Sequence, residues 1–387
     1  MLRLFGAFLS PMGAQAGTVT EGVIAIEGGR IAAVLPGAPP AAADVQAAGT
    51  VVPGFIDLQI NGAYGHDFMN APESVVEVAR RLPETGVTGF IPTIVAAPAA
   101  RYAPWLAAIT EAGKGARGAC VLGLHLEGPF LNVEKKATNR PELLRAPDLG
   151  ALRDMLNDFV RIMTLAPELP GALDLVAELR RRGIVAAAGH SMATYDEAMA
   201  AFAAGVNYGT HLGNAMRGLH HRELGLFGAL LASAVPVGVI VDGIHLHPEL
   251  VRLAYRLKGA AGITLVTDTI AAFGMPPGRY ALGTRTVEVD ETTARVAVDG
   301  GYNLAGAVLS MDAAVRNMMA FTGCSLAEAV TMASATPARV LGLARKGQIA
   351  PGFDADLTVL DADGSVMMTL VGGEVVYQRA ASTKQRE

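Results

Sequence analysis

Short apolar runs alternate with helical segments along the chain from residue 55 to residue 268. Each run is apolar along nearly its whole length, which is the pattern of a strand covered on both faces. Strands that alternate with helices predict a parallel sheet joined by helical crossovers. The eight runs are residues 55–59, 89–93, 119–127, 160–167, 184–190, 206–211, 237–242 and 263–268.

Eight strand and helix repeats favour an α/β fold in the form of a (β/α)8 TIM barrel. A doubly wound open sheet is the alternative, but no Gly-x-Gly-x-x-Gly sequence opens a helix after a strand. Sequence signals for helix ends support the alternation of strands and helices. Thr194 and Glu197 form a capping-box pattern before an apolar segment that ends at Gly205, and another helical segment ends at Gly183.

The two ends of the chain have a different pattern, with alternating residues and glycine turns. Residues 23–26 and 31–35 flank Gly28 and Gly29, and residues 368–371 and 374–377 flank Gly372 and Gly373. This pattern predicts antiparallel hairpins. We therefore expect residues 1–50 and 346–387 to form one small β-sandwich domain, and residues 51–345 to form the catalytic barrel.

Composition raises the question of a membrane, because 51% of the 387 residues are hydrophobic and only 17% are charged. Two stretches without charge, residues 4–20 and 224–241, have about the length of a spanning helix. The second contains three glycines and a proline and divides into a helical half and a β-branched half, as a buried helix and strand would. The first could imitate a secretory signal that ends in Ala-Gln-Ala at 14–16, but Pro11 and Gly13 interrupt it.

Charge and cysteine content limit the partners and the cellular location to be expected of this protein. The formal net charge is −5 without a basic stripe, so a nucleic-acid partner is not expected. Two cysteines give no disulfide framework. We expect a cytoplasmic protein without a membrane or nucleic-acid partner.

Polar side chains collect at the carboxyl ends of the predicted strands, where barrel enzymes place their active sites. A core strand has no packing reason to finish in an imidazole or a carboxylate, so the repetition points to a site. These residues are Gln59 and Asn61 on strand 1, His125 and Glu127 on strand 3, His190 on strand 5, His211 on strand 6, Asp242 on strand 7 and Asp268 on strand 8.

Glu127, His190 and His211 supply the oxygen and nitrogen ligands of a catalytic divalent metal. Either histidine alone could equally be a buried imidazole bonded to backbone, but the three together favour a metal that lowers the pKa of a water. Asp268 suits a general base, although an isolated Asp could equally cap a helix. His125 lies two residues before Glu127 and is expected to support the ligands. His220, His221 and His245 lie on loops at the same end, where with Arg222 they could contact an anionic group.

Several motifs carry a resemblance to a known family. They are residues 53–62 (Pro-Gly-Phe-Ile-Asp-Leu-Gln-Ile-Asn-Gly), 125–132 (His-Leu-Glu-Gly-Pro-Phe-Leu-Asn), 189–195 (Gly-His-Ser-Met-Ala-Thr-Tyr), 210–216 (Thr-His-Leu-Gly-Asn-Ala-Met), 265–268 (Leu-Val-Thr-Asp) and 347–357. Together they resemble the N-acetylglucosamine-6-phosphate deacetylase family of the amidohydrolase superfamily, over residues 52–339 and again over 347–357. In many superfamily members the positions of Gln59 and Asn61 are both histidine and bind a second metal, so here they form a vestigial second site.

The resemblance implies removal of acetate from a 6-phosphorylated N-acetylhexosamine. It implies one divalent metal per subunit on Glu127, His190 and His211, with zinc first and iron, manganese or cobalt as alternatives, and Asp268 as acid and base. It also implies that His245 polarises the amide carbonyl. The substrate contacts that it implies are Thr138, Asn139, Asn214, Ala215, Arg222, Asp242, His245, Leu304, Ala305 and Gly306. Arg222 would reach the phosphate in a neighbouring subunit, which implies a homodimer.

Two segments depart from the family pattern. Residues 135–139 read Lys-Lys-Ala-Thr-Asn where the family usually has Lys-Lys-Gly-x-His, so Asn139 replaces a histidine that contacts the substrate. The loop that contains Arg217, His220 and His221 is more basic than usual. The alternatives are a deacetylase of another phosphorylated sugar such as N-acetylgalactosamine-6-phosphate, another amide hydrolase of the superfamily, and a non-catalytic barrel that serves as a scaffold.

Overall fold

The computed structural model describes residues 1–10, 17–298 and 301–380. The Ala-Gln-Ala sequence at 14–16 and the last seven residues of the predicted small domain lie outside these ranges. In chain order the strands are β1 (Leu2–Leu9), β2 (Val19–Glu27), β3 (Arg30–Pro36), β4 (Val45–Pro53), β5 (Phe55–Ile60), β6 (Gly62–Ala63), β7 (His66–Asp67), β8 (Val87–Val95), β9 (Cys120–Val121), β10 (Leu124–Glu127), β11 (Val160–Leu165), β12 (Val185–Ala188), β13 (Tyr208–Gly209), β14 (Val237–Val239), β15 (Ile263–Leu265), β16 (Gly278–Leu282), β17 (Arg285–Val289), β18 (Ala294–Val298), β19 (Gly301–Leu304), β20 (Leu357–Leu360), β21 (Val366–Val371) and β22 (Glu374–Gln378).

The helices follow the barrel strands or join them. They are α1 (Val75–Arg81), α2 (Ala99–Lys114), α3 (Leu149–Met155), α4 (Ala172–Arg181), α5 (Tyr195–Ala204), α6 (Gly225–Ala232), α7 (Pro248–Lys258), α8 (Met311–Thr322), α9 (Leu326–Ala333) and α10 (Ala335–Val340). The predicted capping box is confirmed before α5, where the Thr194 side chain accepts a hydrogen bond from the Glu197 N–H and Glu197 bonds back to Thr194. A cap of this kind contributes about 1 kcal/mol to helix stability.

Eight parallel strands form the barrel and confirm the predicted fold class. They pair in the order β5, β8, β10, β11, β12, β13, β14, β15, each with its neighbour in the parallel sense. The first and last strands meet through short hydrogen bonds, because the Asp268 N–H donates to the Gln59 carbonyl at 3.0 Å and the Asn61 N–H donates to the Thr269 carbonyl at 2.8 Å. Closure therefore places the ends of β5 and β15 side by side.

The uncharged stretch at 224–241 divides into α6 and β14, both buried, as predicted. Its apolar character thus reflects burial inside the barrel wall. Within the described ranges, no helix is both long enough and apolar enough to cross a bilayer.

Both chain ends contribute to one seven-stranded sheet in the order β22, β21, β20, β4, β1, β2, β3. The sheet curls, so that the turn before β22 meets the end of β2: a Cβ on Gly373 would lie 2.5 Å from Ile26 Cγ2. Its concave face buries an apolar cluster that includes Leu4, Ile24 and Leu357. The predicted small β domain made from both termini is therefore confirmed, while its boundaries at residues 50 and 346 stay a prediction.

A third sheet was not predicted from the sequence. Strands β16 to β19 form a four-stranded antiparallel insert after the last barrel strand, with a core of its own that includes Val287, Ala294 and Val296. Its strands alternate buried and exposed residues, as in β17, and a search for continuous apolar runs misses this pattern. The insert lies over the carboxyl ends of the barrel strands and lines the cavity there.

Candidate active site

A cavity of about 370 Å³ opens at the carboxyl ends of the barrel strands. Four of the predicted chemical residues, Glu127, His190, His211 and Asp268, line it together. They reach it because β10, β12, β13 and β15 end within three residues of these side chains. The strand-end pattern in the sequence thus corresponds to one site.

Glu127, His190 and His211 converge on a single point. Glu127 Oε1 lies 3.0 Å from His190 Nε2 and 2.8 Å from His211 Nε2, and the two nitrogens are 3.1 Å apart. Ligand atoms bound at about 2.0–2.2 Å to one zinc-sized ion lie roughly 3–3.5 Å from one another. The triangle therefore has the size of a three-ligand metal site.

The hydrogen bonding around His190 tests whether these residues fit a cation. His190 Nδ1 lies 2.8 Å from the Lys135 carbonyl, which can only accept, so Nδ1 carries the proton. In the neutral ring Nε2 is then a bare lone pair, and it faces a carboxylate oxygen. A cation placed between these two acceptors satisfies both, and the residues present therefore fit a divalent metal.

The surroundings of Glu127 favour its ionised form. Burial alone would raise the pKa of Glu127, but its close contacts with the imidazoles of His190 and His211 outweigh burial and hold that pKa well below its usual range. Burial likewise opposes the charged form of His211, yet the carboxylate of Glu127 raises its pKa on balance. Glu127 is thus an anion ready to bind a cation.

Asp268 is held by two amides. Asn61 Nδ2 donates to Asp268 Oδ1 at 2.7 Å and Gln59 Nε2 donates to the same oxygen at 3.0 Å. Burial, followed by the nearby charge of Glu127, raises the pKa of Asp268 to about 6. No described residue donates to Oδ2, so this oxygen is the one available to exchange a proton.

Gln59 and Asn61 occupy the positions of the vestigial second site. Gln59 Nε2 also lies 3.3 Å from Glu127 Oε1, so one amide bridges the two carboxylates. Both side chains direct N–H donors at the carboxylates, and they act as supports for Glu127 and Asp268. Asn61 Oδ1 is buried without a partner among the described residues.

His125 is fully engaged away from the cavity. Its Nδ1 lies 3.2 Å from Thr93 Oγ1 and its Nε2 lies 2.7 Å from Thr164 Oγ1, which is itself 2.7 Å from Thr210 Oγ1. Burial lowers the pKa of His125 to about 4, so the ring is neutral at physiological pH. It packs beneath the ligands, as expected of a supporting residue.

His245 lines the cavity, but Asp242 does not. Asp242 Oδ2 lies 2.6 Å from His245 Nδ1, and Oδ1 accepts the N–H groups of Ile244 and His245 at 2.8 Å. Burial would raise the pKa of Asp242, but the His245 hydrogen bond outweighs it and lowers that pKa. The oxygens of Asp242 are thus used to orient His245, and the expected substrate contact by Asp242 stays a prediction.

Most other predicted substrate contacts line the cavity: Thr138, Asn139, Asn214, Ala215, Leu304 and Gly306. Ala305 does not, because its side chain is buried in the core of the insert, and the expected substrate contact by this residue stays a prediction. Arg222 does not line the cavity of its own chain either. It is exposed, and its Nη1 lies 2.7 Å from His221 Nε2.

Asn139 takes part in closing the loop on which it lies. Its Oδ1 accepts the Ala96 N–H at 3.2 Å and its Nδ2 donates to the Lys136 carbonyl at 3.1 Å. Both ends of the amide are therefore committed to backbone, which fixes residues 136–139 against the end of β8.

Sequence reasoning missed the contribution of the insert. Leu282, Tyr302 and Asn303 line the cavity, and Asn303 Nδ2 donates to the Ala137 carbonyl at 3.4 Å. Arg285 Nε donates to the Thr138 carbonyl at 3.1 Å. The insert and the loop at 133–140 thus build one wall of the site together, and the alternating pattern of β17 and β18 was the feature that could have revealed it.

Backbone strain is concentrated at the site. Among the described residues, six that are not glycine have positive φ, and five of these line the cavity: Ala137, His190, His211, Ala215 and Asp268. Such conformations cost of order 1–3 kcal/mol each and persist where the surroundings impose them, which is typical of functional sites.

Comparisons with known proteins agree with this geometry. Residues 50–376 match the model of the amidohydrolase family. The chain is 42% identical to human N-acetylglucosamine-6-phosphate deacetylase over 86% of this chain and 84% of that one. It is 34% identical to the Bacillus subtilis (strain 168) enzyme of the same name over 93% of both.

A solved structure gives the same agreement in three dimensions. A mutant of N-acetyl-D-glucosamine-6-phosphate deacetylase from Mycobacterium smegmatis, in complex with N-acetyl-D-glucosamine-6-phosphate, superimposes with a TM-score of 0.91 at 35% identity. The match covers 97% of this chain and 99% of that one.

Proposed function

The chain belongs to the N-acetylglucosamine-6-phosphate deacetylases of the amidohydrolase family, and from this premise we propose that it hydrolyses N-acetylglucosamine-6-phosphate to glucosamine-6-phosphate and acetate. It is a metal-dependent hydrolase that acts on an amide C–N bond. The observation that carries the proposal is the convergence of Glu127, His190 and His211 beside Asp268 in one cavity.

Glu127, His190 and His211 would hold the metal. When bound, a divalent ion supplies Lewis acidity toward the amide carbonyl and lowers the pKa of a water. Zinc suits one carboxylate and two imidazoles with an open position, although the same donors accept iron, manganese and cobalt.

Asp268 moves the proton. Its ionised Oδ2 takes a proton from the attacking water as the water oxygen bonds to the acetyl carbon, and then delivers that proton to the nitrogen as the C–N bond breaks. Oδ1 stays hydrogen-bonded to Gln59 and Asn61 throughout, so the carboxyl group keeps its orientation. Acetate and a free amine are the products.

His245 acts at the acetyl group. In its doubly protonated form His245 donates Nδ1–H to Asp242, and its Nε2–H would donate to the carbonyl oxygen and stabilise the negative charge that develops there. The lining residues Thr138, Asn139, Asn214, Ala215, Leu304 and Gly306 would surround the sugar phosphate.

Arg222 would act in the site of a second copy. The guanidinium is exposed and lies outside its own cavity, which is what a residue offered to a neighbouring subunit requires. We therefore propose a homodimer in which each Arg222 binds the phosphate of the partner's substrate. The two free cysteines support a cytoplasmic location.

An acetate-release assay on protein of known metal content tests the proposed function. We expect acetate from N-acetylglucosamine-6-phosphate, much less from N-acetylglucosamine, and loss of release when a chelator removes the metal. N-acetylgalactosamine-6-phosphate serves as the matched substrate of opposite configuration at one carbon. If metal-loaded protein releases no acetate from N-acetylglucosamine-6-phosphate, the proposal is wrong.

A further inference from the structure

Glu168 lies three residues after β11. In the barrel, β11 lies between β10, which ends at the ligand Glu127, and β12, which is followed by the ligand His190. Glu168 does not line the catalytic cavity, and instead faces a shallow depression beside α4 with Pro167 and Leu169. Any effect on catalysis must therefore pass through other residues.

The Glu168 carboxylate accepts three hydrogen bonds from two separate segments. Oε1 accepts the Met192 N–H at 2.6 Å and Asn132 Nδ2 at 2.9 Å, and Oε2 accepts the Ser191 hydroxyl at 2.7 Å. Ser191 and Met192 directly follow the ligand His190. Asn132 belongs to the loop after β10, the strand that carries the ligand Glu127.

Both segments hold His190. The Asn132 N–H donates to the His190 carbonyl at 2.9 Å, and the Lys135 carbonyl of the same loop accepts from His190 Nδ1 at 2.8 Å. On the other side, the Ser191 N–H donates to the Ala215 carbonyl at 3.1 Å. Glu168 ties these supports together at a single carboxylate.

The backbone of His190 needs such support. Its φ is +50°, in the left-handed region that a β-carbon disfavours. Without the bonds from Ser191 and Met192 to Glu168, the turn after His190 is free to relax toward negative φ, which would rotate the ring away from Glu127.

We propose that Glu168 is a positioning residue for the metal centre, which sets the orientation of the ligand His190 and so the affinity for the divalent ion. This inference rests on the metal centre of the proposed function. Residues that orient metal ligands from outside typically change metal affinity by about 10–100-fold when they are replaced.

The test measures metal affinity directly, by titrating zinc into metal-free protein against a chelating dye. We expect Glu168→Ala to weaken zinc binding 10–100-fold, while KM for substrate at saturating zinc stays within about twofold of wild type. Glu168→Gln keeps an oxygen for the Met192 N–H and an N–H for the Ser191 hydroxyl, and should restore most of the affinity.

Glu178→Ala is the matched control. Glu178, on α4, also accepts three hydrogen bonds, from Arg181 and Arg182, but none of the hydrogen bonds given for it leads to a metal ligand. We expect its zinc affinity to equal that of wild type. A general loss of stability would lower the zinc affinity of both variants alike. A positioning role of Glu168 lowers the zinc affinity of Glu168→Ala alone.

If Glu168→Ala does not fold, Ser191→Ala removes one of the three bonds and should weaken zinc binding by a smaller factor. Wild-type affinity in Glu168→Ala, or in Ser191→Ala where the first does not fold, would overturn the inference. Failure of the wild-type protein to bind stoichiometric metal would instead refute the metal centre of the proposed function, so the two failures are distinguishable.

Discussion

Asp57 is a buried carboxyl group whose protonation should make the stability of the protein depend on pH. It is fully buried on β5. Oδ1 accepts the N–H groups of Gln59 and Thr267 at 3.1 and 3.3 Å, and Oδ2 lies 2.5 Å from the Thr267 hydroxyl. Burial, only partly opposed by these bonds, raises the pKa of Asp57 from 3.8 to about 7.

The sign follows from the proton count. Between pH 3.8 and about 7 the folded protein keeps a proton on Asp57 that the unfolded chain has lost, so folding is progressively disfavoured as pH rises through that range. Three pKa units correspond to about 4 kcal/mol in total, of which roughly 2–3 kcal/mol falls between pH 5 and pH 8.

Asp57→Asn removes this dependence and keeps the geometry. The asparagine oxygen retains both backbone bonds, and its N–H donates to the Thr267 hydroxyl, which can donate onward to Thr269 Oγ1 at 3.4 Å. We therefore expect the variant to gain roughly 2–3 kcal/mol relative to wild type on going from pH 5 to pH 8.

Urea unfolding of the metal-loaded proteins at pH 5, 6, 7 and 8 measures the difference. The midpoint of Asp57→Asn should rise relative to wild type across this series, whereas Asp174→Asn, an exposed site on α4, controls for the change in net charge. A midpoint difference that is constant between pH 5 and pH 8, or that shifts in the opposite direction, would refute the reasoning.

Three further predictions concern the cavity wall that the insert builds, the stability of the barrel and the effect of the metal on stability. Arg285→Ala breaks the bond to the Thr138 carbonyl, so KM should rise severalfold in steady-state assays while kcat changes little; Arg279→Ala on the exposed side of the insert should leave KM unchanged. Lys258→Met removes an ammonium that donates to three carbonyls in the last turn of α6 and just after it, and should cost about 2 kcal/mol of unfolding free energy, whereas Lys114→Met, at an exposed ion pair, should cost less than about 1 kcal/mol. Removal of the metal should lower the midpoint of thermal unfolding, because an ion that binds only the folded state stabilises that state. An unchanged midpoint after complete removal would contradict a contribution of the metal to stability.

The barrel could be predicted because its strands are buried on both faces and therefore appear as continuous apolar runs. The same rule failed for the insert, whose strands are half-exposed and alternate, as Val287 and Val289 do around an exposed Glu288. The candidate metal site could be predicted because a histidine at the end of a core strand has little packing purpose.

The supporting residues could not be predicted in the same way. Nothing in the sequence distinguishes Glu168 from other surface glutamates, because its role depends on hydrogen bonds to segments 23 to 36 residues away. The part that Asp242 plays in orienting His245 could not be predicted, since only the structure shows that both of its oxygens are used by residues 244 and 245. The burial of Ala305 could not be predicted because the insert that buries it was not foreseen.

The central claim is that Asp268 transfers the proton beside a metal held by Glu127, His190 and His211. Asp268→Asn tests it directly, because the side-chain oxygen can still accept from Gln59 and Asn61 while the proton-carrying oxygen is lost. We predict a variant that retains one divalent ion per chain by elemental analysis and releases acetate from N-acetylglucosamine-6-phosphate about 10²–10⁴-fold more slowly than wild type. Undiminished turnover in the metal-loaded variant would contradict the account.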